Sequence, residues 1–173
     1  KNTVENFVKG QPEALLLVEF GEEDTDENLR KLDQLETCMH GLGFSWESTG
    51  KFTGGVIKVT DNRLQKEIAE VRKSGLNIMM SMKGDGKPVS FIEDCAVPLE
   101  HLADYTDAVT ALFARHGTRG TWYAHASVGC LHVRPVLNLR LDKDIKAMRA
   151  IAEECFDMVL EYKGSHSGEH GDG

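Results

Sequence analysis

The stretch TWYAHASVGCLHVRPVLNL (residues 121–139) decides how this chain folds. Its two parts, 121–127 and 131–139, are rich in apolar and β-branched residues and predict a pair of strands interrupted at Gly129. Positions seven apart on one straight strand point to opposite faces of a sheet. A bulge or tight turn at Gly129 changes this, and it can bring His125 and His132 to the same side.

Working outward, the remaining chain alternates between apolar runs and apolar residues at helical spacing. Strands are predicted at 14–20 and 89–96. Helices are predicted to open in the acidic stretch 22–27 and end near Gly43, and to cover 62–72, 98–116 and 142–162. This order predicts an α+β fold, an antiparallel sheet with helices mainly on one face, related to the ferredoxin-like arrangement. The length of 173 residues suits one well-cored domain.

The composition excludes several classes of function. The formal net charge is −8 and the basic residues are interleaved with acids, so we expect no nucleic-acid partner. The apolar runs are too short to predict a transmembrane segment. The four cysteines form no C-x-x-C pair, which argues against a structural zinc site of the usual spacing, and we expect them to be reduced in a cytosolic setting.

Two histidines flanking Gly129 are the sharpest chemical signal. If His125 and His132 converge, they supply half of a zinc site or another divalent metal site, because imidazole suits several transition metals. The alternative is a pair of ordinary strand histidines with polar partners, which is the commoner outcome for such a spacing taken alone.

A second signal is the Gly- and His-rich end of the chain, GSHSGEHGDG (residues 164–173). Its glycines allow the backbone to approach a ligand closely. Glu169 is a candidate third metal ligand, and His170 is a candidate base at neutral pH. The alternative for this segment is an unattached chain end.

Two arginines are candidates for binding a carboxylate. Arg72 lies at the end of the predicted second helix, where a guanidinium can hold a carboxylate with its planar fork. Arg134, two residues after His132, shares that histidine's strand face. The alternatives are a solvated Arg at a helix end and a surface salt bridge. We expect Asp94 to cap or brace the turn into the third helix.

In this order, these residues resemble the C-terminal domain of FAD-linked oxidases of the vanillyl-alcohol-oxidase type. That group includes glycolate oxidase subunits, D-lactate dehydrogenases and D-2-hydroxyglutarate dehydrogenases. The resemblance rests on Val71-Arg72-Lys73, on EDCAVP (93–98), on HASVGCLH (125–132) and on SGEHG (167–171). The stretch HASVGCLHVRP is most similar to large bacterial members fused to an iron–sulfur domain.

The resemblance implies a set of roles. His125, His132 and Glu169 are implied to bind a divalent metal, with zinc the expected ion, and His170 to accept the substrate proton. Arg72 is implied to grip the substrate carboxylate. Arg134 stands where some relatives have Asn, and an added cation there suggests a substrate with a second acidic group or a different hold on the same carboxylate.

The resemblance also implies what lies outside this chain. Residues 1–173 are expected to form a single substrate-binding cap domain of a larger flavoprotein, with the FAD-binding domain absent and an iron–sulfur cluster elsewhere in the parent. The expected reaction oxidises a D-2-hydroxy acid of the lactate, glycolate or 2-hydroxyglutarate type to the 2-oxo acid. We expect the isolated domain to be inactive and the parent to be cytoplasmic, or peripheral to the inner membrane.

Two other classes of function stay open at this point. One is a non-catalytic α+β module that senses a small ligand or a metal. The other is a structural or assembly role with incidental histidines.

Overall fold

The structure is a computed structural model that describes residues 3–47 and 52–171, with residues 3 and 76–80 described through their backbone alone. It divides the chain into two compact units, Lys1–Gly75 and Leu76–Gly173. The single domain expected from the sequence stays a prediction. Each unit is described below by itself.

Four α-helices are present in the described residues. They are α1 (Thr25–Gly41), α2 (Asn62–Met80), α3 (Leu102–Arg115) and α4 (Asp142–Glu161). Aspartates cap the first two: Asp24 Oδ1 accepts from Asp26 N at 2.9 Å, and Asp61 Oδ1 accepts from Leu64 N at 2.7 Å. The four predicted helices are therefore confirmed.

The second predicted helix is longer in the structure than in the sequence analysis. α2 continues through Gly75 to Met80, beyond the predicted end at residue 72. A glycine inside a helix costs only about 1 kcal/mol relative to Ala, and a run of good helix formers can carry the helix past it. Among the described residues, no helix combines the length and the apolar character needed to cross a lipid bilayer.

The strands are short. They are β1 (Phe44–Ser45), β2 (Phe52–Thr53), β3 (Lys87–Pro88), β4 (Cys95–Ala96), β5 (Gly120–Thr121), β6 (Ala124–His125), β7 (Cys130–Leu131) and β8 (Arg134–Leu137). In the first unit, β1 pairs with β2 in parallel. In the second unit, the orders are β3-β8-β5 and β4-β7-β6, and every pairing is antiparallel. The predicted α+β class is confirmed.

The strand predicted at 14–20 is wrong. These residues form no ladder in the described part of the chain, and Leu15, Leu16 and Leu17 are exposed. An apolar run satisfies the sequence pattern of a strand, but a strand also needs a neighbour to pair with its backbone. The strand predicted at 89–96 is likewise reduced to its last two residues, Cys95 and Ala96 in β4.

The core of the second unit lies between α3, α4 and the sheet strands. Its fully buried helix residues are Tyr105, Val109, Leu112 and Phe113 of α3 and Ile151, Cys155 and Val159 of α4. From the strand side come Ile92, Cys95, Val97, Leu131 and Val133. Ile145 shares the helical spacing of the buried α4 residues but is exposed, because it lies in the first turn of α4, whereas the core contacts of that helix begin at Ala147.

We predict that Leu112→Ala lowers the free energy of unfolding by about 2–5 kcal/mol, because it removes a fully buried side chain and leaves a cavity. The matched control is Leu160→Ala on α4, where the leucine is exposed and the change should stay within about 0.5 kcal/mol. Chemical denaturation measures both. Equal losses in the two variants would contradict this core.

Candidate metal and substrate site

A chain reversal at Gly129 sets the positions of the two histidines. After β6 the chain forms a single 3₁₀ turn, Ala126–Val128, and Gly129 then adopts a left-handed conformation with φ 70°. A Cβ at this position would lie 1.9 Å from the carbonyl oxygen of Val97. Val97 N also donates to Gly129 O at 3.0 Å. Glycine is therefore required here for both its backbone conformation and its lack of a side chain.

The reversal places the imidazoles of His125 and His132 side by side. Their ring centroids lie 4.9 Å apart, with the planes at 89°. Tyr123 holds His132 through the backbone, since His132 N donates to Tyr123 O at 2.7 Å, and through its ring, which stacks at 5.6 Å. His132 is buried, and His125 is partly exposed.

The tail segment (residues 164–171) is attached to the same sheet. Ser165 and Ala96 exchange two backbone hydrogen bonds of 2.8 Å, which extends the β4 edge by one bridge. Gly168 N then donates to Asp94 O at 2.7 Å. The alternative of an unattached chain end therefore does not hold for this segment, while Asp172 and Gly173 lie outside the described residues.

Three imidazoles surround the Glu169 carboxylate. Its Oε1 lies 2.9 Å from His132 Nε2, 3.4 Å from His125 Nε2 and 3.5 Å from His170 Nε2. The ring of His170 stacks on that of His132 at 5.3 Å and 8°. The structure thus brings together four of the six residues singled out from the sequence.

The protonation pattern of His132 bears on what this cluster can bind. Its Nδ1 lies 2.5 Å from the backbone oxygen of Glu93, which can only accept, so Nδ1 carries the hydrogen. In the neutral ring, Nε2 then presents a lone pair to Glu169 Oε1, which also carries lone pairs. A proton or a metal cation must lie between two such atoms. A metal-binding histidine usually donates its other ring N–H to a carbonyl or carboxylate oxygen, as His132 does here.

The donor set fits a divalent transition metal. Asp94, His132, Glu169 and His170 each offer one ligand atom, and these atoms all lie within 4.8 Å of one another. This set shares His132 and Glu169 with the set expected from the sequence, and His125 lies in contact with both of them. Imidazole with carboxylate is the ligand chemistry of zinc and its neighbours, and a site with three protein ligands leaves a position open for substrate.

Asp94 does not cap the third helix. The 3₁₀ turn (Leu99–His101) that precedes α3 follows Pro98 and has no side-chain cap, and the Asp94 carboxylate instead accepts from the tail segment. The prediction of a turn-bracing role is therefore wrong. Burial of this carboxylate favours its neutral form, but the hydrogen bonds from His170 N and Glu169 N outweigh it, so its pKa lies below the ordinary value.

Arg134 is paired with Glu93 beside the cluster. Its Nε donates to Glu93 Oε2 at 2.5 Å, and both side chains are mostly buried. Burial opposes the charge on Glu93, yet hydrogen bonds from Ser90 and Arg134 hold its pKa below the ordinary value. Arg72 lies on α2 in the first compact unit, and its role as a carboxylate-binding residue stays a prediction.

Comparison with known proteins identifies the family. Residues 2–173 match the family described as FAD linked oxidases, C-terminal domain. The chain belongs to this family. This match confirms the resemblance seen in the sequence.

The relatives of this FAD-linked oxidase domain include proteins named D-2-hydroxyglutarate dehydrogenase and a glycolate oxidase subunit. A D-2-hydroxyglutarate dehydrogenase of Pantoea ananatis is 35% identical over 163 residues, which is 92% of this chain and 15% of that protein. One of Escherichia coli is 31% identical over 167 residues, again 92% of this chain and 15% of that protein. The glycolate oxidase subunit GlcD of Bacillus subtilis is 25% identical over 69% of this chain and 25% of its own length. The domain therefore spans a small part of the relatives it matches.

Sequence reasoning missed the part that Asp94 plays in this FAD-linked oxidase domain. Its carboxylate partners lie 73 to 76 residues further along the chain, so no local spacing could reveal them. The available signal was the EDCAVP stretch, which the resemblance includes as a block. A thiol also reaches Asp94: Cys130 Sγ donates to Oδ1 at 3.6 Å, and burial raises the pKa of Cys130 to about 11.

A cleft of about 250 Å³ adjoins the cluster. Glu93, Asp94 and His170 line one side of it, and Phe91 and Phe156 contribute apolar surface. The His170 side chain is 52% exposed, so a small molecule in the cleft can reach its ring.

We predict that Gly129→Ala destabilises the domain more than Gly117→Ala. Both glycines have positive φ, but a Cβ at Gly117 meets nothing within 4 Å, whereas one at Gly129 overlaps Val97 O. The strain of a positive φ costs about 1–2 kcal/mol in both variants, and the overlap with Val97 O adds to this cost only at Gly129. Thermal unfolding compares the two. Equal melting temperatures would show that the reversal tolerates a side chain.

Proposed function

We propose that this chain is the substrate- and metal-binding domain of an FAD-dependent dehydrogenase that oxidises a D-2-hydroxy acid to the 2-oxo acid. The observation that carries the proposal is Glu169 Oε1 lying among three imidazole Nε2 atoms, with the His132 hydrogen fixed on Nδ1. The family match and the names of the relatives supply the reaction class.

His125, His132 and Glu169 would hold the metal, which we infer to be zinc. When bound there, a divalent cation supplies Lewis acidity that lowers the pKa of a substrate hydroxyl group. His132 is kept in the ligating tautomer by the Glu93 carbonyl, and His125 is kept beside it by the Gly129 reversal. A 2-hydroxy acid can offer its hydroxyl and one carboxylate oxygen to such a site.

His170 would accept the hydroxyl proton. It stacks on His132, so it lies beside the cation site, and its ring is half exposed on the side of the cleft. FAD, bound by a domain outside this chain, would take the hydride from C2. The domain alone would therefore bind substrate without turning it over.

The arginines would bind the acidic groups of the substrate. We assign the carboxylate grip to Arg72 and a second acidic group to Arg134. Glu93 Oε2 faces two of the nitrogens of Arg134, so the guanidinium has further N–H groups that can donate to a second carboxylate while the Glu93 pair stays in place. A second acidic group of this kind is present in a dicarboxylate of the 2-hydroxyglutarate type and absent from lactate and glycolate.

Further properties of the parent follow from the same proposal. It would carry an iron–sulfur cluster outside this domain and pass electrons to an acceptor that the chain does not specify. It would act in the cytoplasm, or at the inner membrane as a peripheral protein. A metal- or ligand-sensing module is the competing class, and a parent protein without bound flavin would favour it.

We predict that His132→Ala in the full-length parent abolishes turnover of D-2-hydroxy acids, with a loss on the order of 10³-fold or more, since Lewis-acid stabilisation is worth several kcal/mol. Flavin absorbance should stay unchanged. His40→Ala, at an exposed position near the end of α1, is the control and should keep full activity. Normal turnover in His132→Ala would remove the metal assignment.

We predict that Arg72→Ala raises KM and lowers kcat/KM by roughly 10- to 100-fold, because a hydrogen-bonded charge pair with the substrate is lost. Arg63→Ala serves as the control, since Arg63 is an exposed arginine on the same helix that pairs with Glu67. Steady-state kinetics with a dye acceptor measure both. An unchanged kcat/KM in Arg72→Ala would mean that the carboxylate is bound elsewhere.

A further inference from the structure

We propose that Asp94 is the positioning residue that holds Glu169 and His170 at the cation site. The inference rests on the proposed function for the meaning of that site. It adds a residue that the sequence had assigned to a turn, and it explains how a segment far along the chain comes to supply both a ligand and a base.

The geometry centres on one carboxylate that gathers donors from neighbouring residues. Asp94 Oδ2 accepts from His170 N at 2.9 Å, from Glu169 N at 3.1 Å and from Ser167 Oγ at 3.2 Å. The backbone oxygen of Asp94 accepts from Gly168 N. Four consecutive residues of the tail segment are thus wrapped around one residue. Successive N–H groups around an anion form a nest, here with the anion supplied by the protein itself.

The side chains of the two functional residues contact the imidazole cluster but are only partly held by packing. Glu169 and His170 are 46% and 52% exposed, so their ring and carboxylate contacts do not by themselves fix the backbone of the tail segment. Asp94 itself is only 8% exposed and directly precedes β4, which the ladder with β7 fixes. The bonds from the Glu169 and His170 amides to this anchored carboxylate therefore set where their side chains begin.

Asp94 also connects the tail segment to the histidine strand. Cys130 Sγ lies 3.6 Å from Oδ1, and Cys130 is in β7, two residues before His132. A Cβ on Gly168 would approach Cys130 Sγ at 3.1 Å and Asp94 O at 3.0 Å, so the tail segment, Asp94 and β7 are packed closely. The carboxylate thus lies at the junction of the elements that carry the cation ligands.

Asp94 lies close enough to the cluster to be considered as a ligand itself. Its oxygens argue for positioning. Oδ2 accepts three hydrogen bonds, and Oδ1 is approached by Glu169 N at 3.2 Å and by Cys130 Sγ. Lone pairs used in this way are not free for a metal, so Asp94 could act as a ligand only if these donors moved away.

The test uses Asp94→Asn in the full-length protein. An asparagine keeps one acceptor oxygen but turns an NH₂ group towards the backbone donors. In metal-free protein, we expect hydrogen exchange of the peptide covering residues 164–171 to become about tenfold faster, the ratio expected for losing hydrogen bonds to a charged group. Competition with a chromophoric chelator should show zinc affinity about 10- to 100-fold weaker, as for other residues that orient metal ligands.

The matched control is Asp144→Asn, because Asp144 is also a carboxylate that accepts a backbone N–H, from Asn138 at 2.7 Å, outside this cluster. It should leave both readouts unchanged. Ser167→Ala removes one donor without touching the core, and it should shift exchange in the same direction by a smaller factor. It decides the question if Asp94→Asn fails to fold.

Unchanged exchange of the tail segment in folded, metal-free Asp94→Asn would overturn the proposal. If zinc affinity fell while exchange stayed unchanged, Asp94 would be a ligand and not a positioning residue, which also overturns it. If the unmodified protein bound no zinc, the proposed function would fail, yet the exchange comparison would still establish or refute the anchoring by Asp94.

Discussion

Everything in the site depends on the 2.9 Å approach of His132 Nε2 to Glu169 Oε1. The Glu93 carbonyl fixes the hydrogen of His132 on the other ring nitrogen, so two groups that carry lone pairs face each other. Such a contact is repulsive unless a positive charge is shared between the two atoms. With His125 and His170 close by, this geometry favours a shared cation and supports the proposed metal site.

Short strands and tight turns position this contact, and not a large regular sheet. His125 lies in β6 of the β4-β7-β6 sheet, and His132 directly follows β7. The left-handed Gly129 lies between these two strands and reverses the chain in close contact with Val97. The tail segment is joined to the β4 edge at Ala96, which brings Glu169 across from the histidines. The buried faces of α3 and α4 give the strands a rigid support.

The features that follow local rules could be predicted from the sequence, and those that depend on distant partners could not. Helical spacing located all four helices, and the spacing around Gly129 identified the two histidines. The run at 14–20 has the composition of a strand but no ladder partner among the described residues, and pattern alone cannot reveal this. Asp94 was misassigned because its partners follow some 75 positions later, where only the folded chain can place them.

X-ray absorption at the zinc edge of the full-length protein tests the central claim most directly. We expect nitrogen and oxygen neighbours at about 2.0–2.2 Å, with the outer-shell scattering of at least two imidazole rings, and no sulfur, since the Cys130 thiol is directed to Asp94 Oδ1. A sulfur shell near about 2.3 Å, or a spectrum without imidazole scattering, would contradict it.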